Sequence, residues 1–118
     1  SMQAVTGCRE GITKGLTLSY SYPAYTSPVS IYILMVYKNL SFFITQSSTN
    51  SNSFEFTTEM KPLFANSATA KSGTIFSIPA SLLKQLDLTG EYSFYSGVFP
   101  TNNLNKYDII YFSVNVAP

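Results

Sequence analysis

The sequence predicts an all-β domain: a two-sheet sandwich of about seven antiparallel strands, with one short helical turn near residues 79–86. Three observations lead there. Apolar and polar side chains alternate with a period of two in several short runs, as in strands with one buried face. Those runs are rich in Val, Ile, Thr, Tyr and Phe, the residues that suit a pleated surface. Clusters of Pro, Gly, Asn and Ser separate them at intervals of roughly ten residues, the spacing of turns in a β-sandwich. The chain has 118 residues, of which 45% are hydrophobic and only 11% charged. That length suits one domain with its own core, and the shortage of charge means that Ser, Thr, Asn and Tyr must build the surface. Residues 1–11 are read as an N-terminal arm, with Ser1-Met2 a cloning remnant, and 12–118 as a single β domain.

Residues 16–22 set Leu16, Leu18, Tyr20 and Tyr22 on one face and Thr17, Ser19 and Ser21 on the other. Pro23 and Pro28 bracket a turn, and Ser30 to Tyr37 is apolar on both parities, which fits a central strand. Lys38-Asn39 supplies a tight turn into a hairpin partner, Leu40 to Thr45. The polar stretch Gln46 to Ser53 offers little to bury and is expected to be a mobile loop. Phe54 to Thr57 alternates again, and Leu63 to Gly73, small-residue-rich and aperiodic, is read as a connection crossing between sheets. After a short strand, Thr74 to Ile78, Pro79 stands at a helix start and Leu82, Leu83 and Leu86 share a face. Glu91 to Phe99 and Asp108 to Val116 complete the set.

Seven such strands in about a hundred residues match an immunoglobulin-like sandwich. The strongest local support is Gly90-Glu91-Tyr92: a Tyr at the start of the penultimate strand, whose hydroxyl folds back onto the preceding connection, makes a tyrosine corner. Phe94 then stands where antibody domains carry a Cys. The runs Val29-Ser30-Ile31-Tyr32-Ile33, Pro62-Leu63, Ile75-Phe76-Ser77-Ile78-Pro79 and Gly90-Glu91-Tyr92-Ser93-Phe94-Tyr95-Ser96-Gly97 together resemble an Ig-like accessory domain of bacterial extracytoplasmic proteins. The resemblance covers most of residues 28–99 and implies a module attached to a larger surface or secreted polypeptide; it implies no active site.

The chemistry the chain lacks narrows its function. It has no His, one Cys and six Asp and Glu residues. A Ser-His-Asp or Cys-His centre cannot be assembled, and a zinc site lacks ligands. Asp87, Glu91 and Asp108 do not form an Asp-rich calcium loop, and Glu55 and Glu59 read as solvated surface charges more than as a glycosidase pair. No enzyme, cofactor or metal is expected. The formal charge of +1, with scattered lysines, leaves no basic stripe for nucleic acid, and no apolar run is long enough for a transmembrane helix. Val5-Thr6-Gly7-Cys8 resembles a bacterial lipobox without its preceding apolar segment, so Cys8 is either a lipidation site or a free thiol.

One ligand site emerges. With Tyr92 and Phe94 inward, alternation turns Glu91, Ser93 and Tyr95 outward, and in the last strand Ile110, Phe112, Val114 and Val116 go inward while Tyr111, Ser113 and Asn115 go outward. Tyr95 and Tyr111 then become neighbours. Ser93 and Asn115 would add hydrogen bonds to a platform able to stack a sugar or an apolar side chain. The expectation is an extracytoplasmic, non-catalytic accessory or interaction module with a protein or glycan partner. The rivals are a carbohydrate-binding module using these tyrosines and a structural subunit of a fibre, pilus or virion.

Overall fold

In the computed structural model, residues 2–6, 15–50, 52–102 and 105–116 are described. Among them run nine strands and one helix: β1 (Met2–Thr6), β2 (Leu16–Tyr22), β3 (Val29–Tyr37), β4 (Leu40–Gln46), β5 (Phe54–Thr57), β6 (Phe64–Ser67), β7 (Lys71–Ile78), α1 (Ala80–Gln85), β8 (Gly90–Pro100) and β9 (Asp108–Val116). The fold is all-β. Every strand pairing is antiparallel, in a three-stranded sheet ordered β1-β2-β7 and a six-stranded sheet ordered β5-β4-β3-β8-β9, with β6 beside the first residues of β3. No helix among the described residues is long and apolar enough to cross a membrane.

The period-two pattern of residues 16–22 becomes a sheet with two unlike faces. Leu16, Leu18, Tyr20 and Tyr22 are buried, while outside Thr17 and Ser77 share a hydroxyl hydrogen bond of 2.8 Å and Ser19 and Thr74 one of 3.3 Å. Opposite them, the inner face of the wider sheet contributes Ile31, Ile33, Ile44, Phe94 and Val116, so the two sheets share one core. A hydrogen bond crosses that core. The Tyr22 and Ser96 hydroxyls lie 2.7 Å apart, and Ser96, the one buried polar residue among those described, is thereby satisfied.

Three segments differ from the sequence expectation. Met2–Thr6, read as part of an arm, is a strand paired with β2 from Met2↔Tyr20 to Thr6↔Leu16; five residues are too few to declare a period. The connection read across 63–73 contains β6 and the first residues of β7. The β6 pairing is short and shifted in register, and Asn66 takes a positive φ of 51°. The loop expected between β4 and β5 is present, and the Ser47 amide donates to the Ser53 carbonyl at 2.9 Å at its base. Finally, α1 buries Ala80 and Leu83 but leaves Leu82 and Leu86 exposed. A helix of six residues, with Leu86 already its C-cap, offers the core less than a full stripe.

The turn after α1 is held by two tyrosines. Asp87 has φ 57° and Gly90 φ 113°, the latter a conformation that side chains with a Cβ rarely adopt. Tyr92 donates its hydroxyl proton to the Leu88 carbonyl at 2.5 Å, and Tyr37, from the neighbouring strand, donates to the Thr89 carbonyl at 2.7 Å. Their rings stack at 4.2 Å and 13°. Burial, followed by the nearby Tyr37 phenol, pushes the Tyr92 phenol up to about 12.

Candidate functional site

The site is the outer face of the six-stranded sheet, and strand register builds it. Tyr95 pairs with Tyr111 across β8 and β9, and on its other side with Leu34 of β3, which in turn pairs with Phe43 of β4. A transverse row of apolar side chains follows. Tyr95 and Tyr111 are 38% and 54% exposed, with ring centroids 4.8 Å apart and planes inclined at 47°. They form an open V, not a flat platform.

The polar residues expected beside them divide. Ser93 is in place, its hydroxyl 3.4 Å from that of Tyr111. Asn115 is not, because it pairs with Glu91 near the start of β8, four residues from Tyr111 along β9, or roughly 13 Å at strand rise. The inward set is corrected in one place: Ile110 is exposed. It pairs with Ser96, near the end of the β8–β9 ladder.

Sequence reasoning missed the surroundings of the tyrosines. The next row places Tyr32, Gly97 and Ile109 side by side. A Cβ on Gly97 would come within 2.6 Å of the Phe99 ring, so glycine lets that ring fold down against the sheet. There Phe99 meets Tyr32 edge-on at 5.7 Å and stacks with Tyr107 at 5.5 Å. Between these rings and Met60 runs a shallow apolar furrow of about 220 Å³, continuous through Tyr32, Met60 and Phe99 with a second hollow of about 180 Å³ that reaches Thr101. The available signal was the parity of Tyr32 and Leu34, apolar on the face opposite Ile31 and Ile33. It could not be assigned without knowing which strands flank β3.

Tyr92 and Gly90 belong to the turn described above and lie apart from this face. Glu91 and Asp108 stand toward opposite ends of the β8–β9 pair, so they and Asp87 do not converge on a common point. Cys8 lies outside the described residues. No family model matches the chain, and no curated protein or solved structure matches it either.

Proposed function

We propose that this chain is a non-catalytic interaction module of a larger bacterial surface or secreted protein, built as an Ig-like sandwich and binding an apolar protein segment on its outer sheet face. The observation that carries the binding reading is the exposed Tyr95–Tyr111 pair, whose Tyr95 lines an apolar furrow. A contiguous exposed aromatic surface on a weakly charged domain is the usual mark of a recognition site.

The Ig-like reading draws support from strand order. β1-β2-β7 against β5-β4-β3-β8-β9 is the order expected of a variable-type sandwich whose smaller sheet has three strands among the described residues. The Tyr92 hydroxyl, bonded four residues upstream at the corner before β8, supports it too. The extracytoplasmic assignment rests on the low charge and on the family resemblance, and the non-catalytic one on the lack of His.

A protein partner fits better than a glycan. A sugar ring stacks on a flat aromatic surface, whereas two touching rings inclined at 47° offer an uneven apolar surface that suits a side chain laid against them. Selection from a displayed peptide library tests this. Enriched peptides should carry aliphatic anchors and lose about tenfold or more in affinity on Tyr95→Ala or Tyr111→Ala, the scale of an interface hot spot. Peptides that bind both variants as well as wild type would overturn the reading. Saturable binding on a glycan array, lost in the same variants, would favour the carbohydrate rival. Concentration-dependent association in light scattering would favour a fibre or virion subunit.

A further inference from the structure

The two sheets differ in width, and the difference leaves a cavity. β1 runs close to β9, and β2 is tied to β8 through Tyr22 and Ser96, so the sheets are flush on that side. The narrow sheet ends at β7. The wider one continues through β4 and β5, an overhang of roughly 10 Å at ordinary strand spacing. At one end the overhang is covered, since Phe54 meets Tyr20 edge-on at 6.1 Å and Phe64 closes against the same ring at 5.5 Å. At the other end it is open.

The open end encloses about 300 Å³. Leu16, Phe76 and Ile78 line it from the narrow sheet, and Met35, Phe42 and Phe56 from the wide one. Tyr37, Tyr92 and Leu88 close the back. The two phenols are turned away from ligand chemistry, because both hydroxyls are engaged by the backbone carbonyls of residues 88 and 89. The cavity wall therefore presents almost nothing to hydrogen-bond. Leu40 and Phe56 remain 56% and 44% exposed on the lining, an unusual cost for two large apolar side chains in one place.

A cation stands beside it. Lys38 lies in the two-residue turn between the paired lining residues Tyr37 and Leu40, and its ammonium is 5.3 Å from the centre of the Tyr37 ring. We propose that this cavity binds a single aliphatic chain of about ten carbons with an anionic head: the chain between the sheets, the carboxylate at Lys38. The length follows from volume, taking a methylene as comparable to the ~30 Å³ share of a water molecule. The sign of the head group follows from Lys38.

Sodium decanoate is the probe, titrated into the full chain below its micelle concentration and followed by calorimetry and by backbone amide shifts. Saturable one-to-one binding is expected, with shifts centred on Leu40, Phe42 and Phe56. Leu40→Asp, at an exposed lining position, should weaken binding by about tenfold or more, the scale on which small apolar sites discriminate. Lys38→Glu, on the surface, should weaken decanoate by roughly two- to fivefold, as for an exposed ion pair, and leave decanol unaffected. Absence of saturable binding overturns the proposal. So does decyltrimethylammonium binding as tightly as decanoate, or shifts centred on Tyr95 and Tyr111. If Leu40→Asp fails to fold, the shift map and Lys38→Glu still decide.

Discussion

Where β2 faces β8, the sheets meet through fully buried side chains: Leu18, Ile33 and Phe94 have no exposed surface, and the polar pair Tyr22 and Ser96 is matched hydroxyl to hydroxyl. Where β4 and β5 pass the edge of β7, similar residues, Leu40, Phe42 and Phe56, line an open cavity, and Leu40 and Phe56 keep about half their surface in solvent. Phe56 touches Phe76 across the gap at 5.9 Å and Phe42 beside it at 6.4 Å, and is still 44% exposed. The same kind of residue is thus structural on one side of the molecule and available on the other. What separates them is the number of strands laid opposite, not hydrophobicity.

That contrast breaks most visibly at Phe94, stacked on Phe112 at 5.3 Å. Phe94→Ala should cost about 3–5 kcal/mol in urea unfolding, the range for emptying a packed aromatic site, whereas Phe56→Ala should cost under about 1.5 kcal/mol. Equal losses at the two positions would mean that the overhang is closed. Next in size is Tyr22→Phe, which strands a buried Ser96 hydroxyl and should cost about 1–3 kcal/mol. Adding Ser96→Ala should recover part of the loss, and a double variant no better than the single one would count against the pairing.

Alkali should act on both sides, through Tyr22 where the sheets are flush and through Tyr92 at the back of the cavity. Burial, only partly offset by the Ser96 hydrogen bond, pushes the Tyr22 phenol up to about 12 from an ordinary 10.0, and Tyr92 shifts in the same direction. Each phenol keeps its proton longer in the folded chain than in the unfolded one. Their contribution is therefore complete below pH 10 and lost as pH rises through 12. The urea midpoint should fall across that window in wild type and fall less in Tyr22→Phe; parallel slopes would refute the assignment. Smaller still is Tyr92→Phe, which removes the bond to the Leu88 carbonyl and should cost about 0.5–1.5 kcal/mol. A variant as stable as wild type would show that the turn is held without it. Tyr95→Ala on the outer face should change stability by under about 1 kcal/mol, since an exposed cross-strand pair contributes little.

Much of this was legible in the residues. The alternation of 16–22 is the burial pattern of β2, Lys38-Asn39 is the hairpin turn, and the parity of β8 and β9 brings Tyr95 beside Tyr111. Those features depend on near neighbours in the chain or on a single pairing. Residues 2–6 and 64–67 were missed as strands because their pairing partners, and not their own pattern, define them. Asn115 was misjudged because sharing a face says nothing about distance along it. Above all, the overhang is a relation between two sheets, and nothing in Leu40 or Phe56 as residues announces that a strand is missing across from them.

The Tyr37–Tyr92 stack has an optical consequence. The chain has nine tyrosines and no tryptophan, so its near-ultraviolet absorption and emission belong chiefly to phenol rings. Two of them, held parallel at 4.2 Å, couple their transitions. Tyr95 and Tyr111 couple as well, at 4.8 Å, so the share of the near-ultraviolet signal that belongs to the back wall of the cavity is the part lost in Tyr37→Phe, and that part should vanish when the turn at 87–90 opens even while the rest of the sheets persist.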